Sequence, residues 1–373
     1  MSVPLLDLKP QYAALKEEFD AAVARVATSQ HFIMGPEVKA FEQEVADWLG
    51  ATTAVGCASG SDALLLALWA LKIGPGDEVI TTPFTFFATA GAVSRLGATP
   101  VFVDIEPGTM NIDPAAIEAA VTPATRAIIP VHIFGLPANM DAIGAIAKKH
   151  DLTVIEDAAQ SIGATWRGAQ TGTIGDFGCF SFFPSKNLGC WGDGGLVTAM
   201  DNDLAEVVKQ LRVHGNYPKK YFHKRVGMNS RLDAIQAAVL RVKLPHLHDW
   251  GAARRSHVAG YTARLADRGL ADRVVFQEIP AEAVPVYHQC VVRVENRDAV
   301  LAHLKSRGVG CAIYYPRPLH MQECFADLGQ AEGTLPIAEQ ACREALALPI
   351  FPELSGEQQD AVIDALAEAL QAG

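Results

Sequence analysis

Thr53-Ala54-Val55-Gly56-Cys57-Ala58-Ser59-Gly60-Ser61-Asp62-Ala63-Leu64-Leu65-Leu66 holds a β-rich run, a small polar loop and the start of an apolar helix. Thr53 to Cys57 has the length and branching of a buried strand, and Ala63 to Leu71 reads as the helix that follows it. Similar short runs recur at Glu78 to Thr82, Pro100 to Asp104, Ala127 to His132, Thr153 to Asp157, Cys179 to Phe183 and Leu196 to Ala199. Helical stretches separate most of them. Strands alternating with helices predict an α/β domain around a largely parallel sheet covered on both faces. Ligands of such sheets sit beyond the carboxyl ends of the strands, a rule that selects Ser59, Phe86, His132, Asp157 and Gln160.

The segment from Leu8 to about Gly50 reads as two amphipathic helices parted by the turn Ile33-Met34-Gly35-Pro36. A helix from Leu232 to Leu244 stops at Pro245, and another begins near Gly251. The chain is therefore divided into a large domain, 1–248, and a smaller α+β domain, 249–373. The smaller one carries helical periods at Arg297 to Arg307, Ile337 to Ala347 and Gly356 to Leu370, and a strand at Gln289 to Val294. With 373 residues, half of them hydrophobic, the chain can bury two cores. A net charge of -11 argues against a general nucleic-acid surface, so an anionic ligand needs a local basic patch. No stretch is long and apolar enough to span a bilayer, and the N-terminus lacks a secretion signal, so a cytoplasmic location is expected. Seven cysteines without a Cys-x-x-Cys pair suggest reduced core thiols, not a disulfide framework or zinc ribbon. No metal site is expected.

Five constellations could carry chemistry. In Ser181-Phe182-Phe183-Pro184-Ser185-Lys186-Asn187-Leu188-Gly189, a lysine sits among apolar and aromatic neighbours ahead of Gly192-Asp193-Gly194-Gly195. Such surroundings strip hydration from an ammonium, lower its pKa and favour a nucleophilic amine able to form a Schiff base. Ala58-Ser59-Gly60-Ser61-Asp62 offers free N–H groups at a helix start, either for one phosphate or for a simple N-cap; it is neither a P-loop nor a dinucleotide fingerprint. Val154-Ile155-Glu156-Asp157 puts two carboxylates on opposite faces of a strand end, so one of them can face a ligand. Asp157 could hold a proton on a heteroaromatic nitrogen or cap the following turn. Pro83-Phe84-Thr85-Phe86-Phe87 could stack on a planar cofactor or fill the core. The basic run Lys219 to Arg225 could meet a diphosphate or be a solvated loop.

Taken in order, the strings SGSDAL, PFTFFAT, EDAAQSIGA, SFFPSKNLG, GDGG and MNSRLDAIQAAVL resemble the sugar aminotransferases of the DegT/DnrJ/EryC1/StrS family along nearly the whole chain. The resemblance implies the fold-type-I, aspartate aminotransferase-like architecture, pyridoxal 5′-phosphate as cofactor, and a homodimer with shared sites. It implies that Lys186 is the Schiff-base lysine and proton carrier, Asp157 the partner of the pyridine nitrogen, and Gln160 the residue at the ring hydroxyl. Phe86 is similar to the stacking aromatic, and Gly60, Ser61 and Ser181 to phosphate-binding residues. Asn229 resembles an asparagine supplied by the neighbouring subunit, with Arg231 near the same site.

The implied reaction takes nitrogen from L-glutamate and gives it to a nucleotide-linked keto sugar, yielding an amino sugar for surface polysaccharide, lipopolysaccharide or a glycosylated metabolite. LRVKLPHL and YYPRPLH resemble relatives that aminate 3-oxo sugars, UDP-linked N-acetylated or dTDP-linked, and place Tyr314, Tyr315 and His320 at the substrate. A 4-keto-sugar aminotransferase and a non-catalytic cofactor-binding regulator are the alternatives. A related branch that dehydrates sugars has histidine where this chain has Lys186. Tyr314 replaces a common histidine, Ser61 a more usual threonine, and His288-Gln289-Cys290 a more apolar string; Tyr314 and His288 to Cys290 are expected in the sugar pocket. A nicotinamide oxidoreductase would share the α/β pattern, but the glycine fingerprint is missing.

Overall fold

A computed structural model describes residues 2–372. Seven strands form the main sheet: β1 Thr53–Cys57, β2 Glu78–Thr81, β3 Thr99–Phe102, β4 Thr125–Ile129, β5 Thr153–Asp157, β6 Phe177–Ser181 and β7 Gly195–Ala199. Their order is β1-β7-β6-β5-β4-β2-β3. All neighbours pair in parallel except β7, which runs antiparallel to both β1 and β6. The strands are buried runs, as sheets covered on both faces require. The helix after β1, Gly60–Ala70, is buried along most of its length and packs Leu64, Leu66 and Leu68 with Val55, Val197 and Phe177. It begins at Gly60, three residues earlier than the apolar period suggests, because Ser59 Oγ caps it by accepting from the Asp62 N–H at 3.1 Å.

The N-terminal region forms three helices where two are expected. Lys9–Ala14 and Lys16–Ser29 are separated at Leu15, whose backbone leaves helical geometry (φ -111°, ψ 12°), before Pro36–Leu49. After the helix Ala234–Lys243, the turn Leu244–His246 leads into the long helix Leu247–Asp267. That helix sends Val258, Tyr261 and Leu265 into the core of the smaller domain. Val3 joins the same core, and its backbone bonds to Gly308 and Gly310, so the first residues of the chain belong structurally with the last third. The expected helix Ile337 to Ala347 ends at Glu344, and Ala345–Leu348 instead pairs antiparallel with the strand Cys290–Arg293. An Ala-Leu run has no polar alternation to mark its period, so pairing with the neighbouring strand decides its conformation.

Glu156 and Asp157 end β5 on opposite faces. Glu156 turns away from the ligand side and organises the turn before β6. Its carboxylate accepts N–H bonds from Gly172, Ile174 and Gly175, each at 2.7 Å, and meets His132 Nε2 at 2.9 Å. The Ala138 N–H donates to His132 Nδ1, so Nε2 carries the imidazole proton and the pair needs no net charge on the ring. Glu156 is fully buried. Replacing Glu156 by Ala strands three N–H groups and the imidazole, and is expected to cost about 3–5 kcal/mol in denaturant unfolding. A loss under about 1 kcal/mol would show that this carboxylate does not hold the turn.

Candidate active site

The carboxyl ends of β1, β5 and β6 face a cavity of about 410 Å³, closed on the other side by the smaller domain. Asp157 sits at its floor. Burial raises the pKa of this carboxyl, and four groups oppose that rise: Thr89, the Ala159 N–H, Lys186 and, through space, His132. Thr89 Oγ1 donates to Asp157 Oδ2 at 2.8 Å and the Ala159 N–H to Oδ1 at 3.2 Å. Thr85 supports Thr89 from one helical turn before, at 3.0 Å. A carboxylate so placed gains most from a cation within the cavity.

Lys186 lies on the turn after β6, where its N–H donates to the Phe183 carbonyl. Its side chain keeps part of its surface toward the cavity, yet lies deep in the protein. Burial lowers its pKa to about 8, with the charge of Asp157 pulling the other way. The turn is buttressed by Lys243, whose Nζ donates to the Gly189 carbonyl at 2.6 Å.

One end of the cavity is the loop of Ser59, Gly60 and Ser61 with Ser181. A Cβ on Gly60 would lie 2.6 Å from Ser181 Cβ, and one on Gly195 would lie 2.3 Å from the Ser59 carbonyl. These glycines let strand and loop close up and leave the helix N-terminus open to an anion. Gln160 has a fixed polarity. Its Oε1 accepts from the Phe134 N–H at 2.6 Å, so Nε2 is the donor to the Tyr315 hydroxyl at 3.0 Å, and a second N–H remains. Phe86, 59% exposed, forms a wall with Phe183.

The cavity therefore gathers Gly60, Ser61, Phe86, Asp157, Gln160, Ser181, Lys186, Tyr314 and Tyr315. Of the strand-end residues, His132 is set behind Asp157 against Glu156 instead. His320, expected at the substrate, does not line the cavity of the single chain: it is buried with Nε2 3.2 Å from Glu339. Tyr314 and Tyr315 turn inward while the chain runs on through Pro318 into that separate packing, so membership of one string does not carry His320 to the site. His288 and Gln289 line the cavity, whereas Cys290 starts a strand and packs into the smaller domain's core. Asn229 is exposed, Arg231 is half-buried, and neither lines the cavity of a single chain. The basic run also lies on the surface, with Lys219 and Lys220 over the rings of Phe222 and Tyr221. Sequence reasoning missed Thr85 and Thr89. Their signal was position alone, Thr85 within the aromatic string and Thr89 in the first turn of the helix Ala88–Arg95 that follows it. Among the described residues no cluster of three or more metal-ligating side chains occurs.

Residues 13–367 match the model of the DegT/DnrJ/EryC1/StrS aminotransferase family. The chain belongs to this family. It is 52% identical to a protein of Geobacillus stearothermophilus named pleiotropic regulatory protein, over 99% of this chain and 98% of that one. It is 48% identical to the UDP-N-acetyl-3-dehydro-alpha-D-glucosamine 3-aminotransferase of Acidithiobacillus ferrooxidans, over 96% and 95%. Among solved structures it resembles DesV of Streptomyces venezuelae, in complex with a ketimine intermediate, with a TM-score of 0.95, 46% identity and 98% of each chain covered. A Bacillus subtilis relative, NtdA, solved with its bound cofactor PMP, has a TM-score of 0.88 and 32% identity over 95% of this chain and 82% of that one.

Pyridoxal phosphate, the cofactor expected from the sequence, fits the residues present: a buried carboxylate short of a cation, an amine with a lowered pKa, and a glycine-cleared helix N-terminus share one cavity. Since the free amine is the nucleophile, cofactor-free protein should capture added cofactor at a rate that rises with pH and levels off above about 8, followed by visible absorbance. A rate still climbing toward pH 10 would contradict the lowered lysine pKa.

Proposed function

We propose that the protein transfers an amino group from L-glutamate to a nucleotide-linked 3-oxo sugar, with pyridoxal 5′-phosphate as cofactor. The observation that carries this reading is the meeting of Lys186 and Asp157 across one cavity, near enough for each to shift the other's pKa. The cofactor, when bound, supplies an electron sink for the pair released at carbon during nitrogen exchange. Asp157 holds a positive charge at the ring nitrogen. Lys186 Nζ, its pKa lowered by burial to about 8, takes the proton from the glutamate carbon that gives up nitrogen and, in the second half-reaction, gives one to the sugar carbon that receives it. Gln160 offers its second N–H to the ring hydroxyl, Phe86 covers the ring face, and Gly60, Ser61 and Ser181 receive the phosphate.

Tyr314 and Tyr315 contact the sugar. Asn229 and Arg231, away from the cavity of their own chain, act in the site of a second copy, which makes a homodimer the working unit. The 3-position and the UDP- or dTDP-linked sugar class rest on the relatives and on the C-terminal strings. The product is an amino sugar of the kind used in surface polysaccharides, lipopolysaccharide or glycosylated metabolites. No described helix is long and apolar enough to cross a membrane, and the working location proposed is the cytoplasm.

A second reading, a cofactor-binding regulator without turnover, is favoured by the name of the Geobacillus relative. The retained lysine speaks against it. Glutamate-loaded protein should aminate nucleotide 3-oxo sugars in preference to 4-oxo sugars, with products identified by mass, and Lys186→Ala should lose the visible absorbance and about 10³-fold or more in rate. Amination of 4-oxo sugars alone would move the assigned position. Bound cofactor with no nitrogen exchange would establish the regulator.

A further inference from the structure

The smaller domain presents a hydrogen-bonding wall to the cavity whose polarity is fixed by its neighbours. Asn187 Nδ2 donates to the Val286 carbonyl at 3.1 Å, and a carbonyl can only accept, so the amide is oriented with Oδ1 toward His288. Oδ1 lies 3.3 Å from His288 Nδ1, which must therefore carry the ring proton. Burial and, after it, the charges of Lys186 and Arg254 keep the imidazole neutral. Its Nε2 is then a bare lone pair. Among the described residues none bonds to it, and the ring lines the cavity. The adjacent Gln289 also lines the cavity, and its buried Oε1 is likewise without a partner among the described residues. Arg254 pins the segment from behind through the carbonyls of Tyr287 and Ile350, both at 3.1 Å.

An unpaired acceptor on the cavity wall calls for a ligand that brings an O–H or N–H donor. A neutral acceptor does not attract a carboxylate or a phosphate, which excludes the acidic ends of glutamate and the diphosphate. His288 and Lys186 line the same cavity, so the acceptor and the amine face one ligand. On a sugar, the donors found there are the hydroxyls of neighbouring carbons. We propose that His288 is a specificity-determining residue that accepts, through Nε2, the hydroxyl proton of the carbon adjacent to the one aminated. For amination at C3 this is the hydroxyl at C4. The assignment rests on the nucleotide-sugar reading above.

The test runs the reaction backwards with holoenzyme and 2-oxoglutarate. The probes are UDP-2-acetamido-3-amino-2,3-dideoxyglucose and dTDP-3-amino-3,6-dideoxyglucose, each beside its 4-deoxy analogue. His288→Leu should lower kcat/KM for the 4-hydroxyl sugar by about 10- to 100-fold and weaken its calorimetric Kd similarly, with the 4-deoxy sugar changed by less than about threefold. The half-reaction with glutamate alone should change no more than the 4-deoxy sugar reaction does, by less than about threefold. His288→Gln, which puts an amide oxygen near the position of Nε2, should recover most of the loss. Equal losses on both sugars, no loss on either, or a glutamate half-reaction impaired in both variants would overturn the assignment. Wild-type protein that exchanges nitrogen with glutamate but converts neither sugar pair would overturn the nucleotide-sugar reading itself, and this assignment with it.

Discussion

Asp157 is a carboxylate placed where water cannot solvate it, and the site is arranged around the need to keep it ionised. Burial drives its pKa up, and Thr89, one backbone N–H and the charge of Lys186 offset only part of that rise. Its hydrogen bonds fix both oxygens without neutralising them. Lys186 faces the converse problem, an ammonium whose burial favours loss of its proton. Each charge partly stabilises the other. A cationic ring nitrogen placed beside Asp157 would satisfy the carboxylate more fully and would leave Lys186 free to cycle between its two protonation states.

The fold supplies the geometry this requires. Parallel strands bring β5 and its neighbours to a common edge, so Asp157, the loop of Ser59 to Ser61 and the lysine turn converge although they lie far apart in sequence. The antiparallel β7 brings Gly195 against the Ser59 carbonyl and closes the sheet behind the loop. Glu156, one residue from Asp157, spends its charge on the turn at Gly172 to Gly175. Adjacent carboxylates thus serve stability and chemistry separately, because a strand alternates its faces. The smaller domain then closes the cavity with His288, Gln289, Tyr314 and Tyr315.

Much of this was legible in the residues. β1 and β5 fall where their branched, apolar runs place them, and Asp157, Gln160 and Phe86 are found where strand-end reasoning looks for ligands. What was not legible depended on tertiary partners. Ala345–Leu348 reads as helix until the strand Cys290–Arg293 is present to pair with it. Thr89 is an ordinary helical threonine until Asp157 arrives, from 68 residues away, to accept its proton. His320 shares a string with Tyr314 and Tyr315 but is claimed by Glu339. The tautomer of His288 depends on Asn187, 101 residues distant, and has no local signature.

The central claim is that Asp157 maintains a protonated nitrogen in the cofactor ring. Nitrogen NMR of protein loaded with ring-¹⁵N-labelled pyridoxal phosphate reads that proton directly. The account predicts a pyridinium signal across neutral pH in the wild type and an unprotonated pyridine signal in Asp157→Asn. A pyridinium signal that persists in Asp157→Asn, or its absence from the wild type, would contradict it.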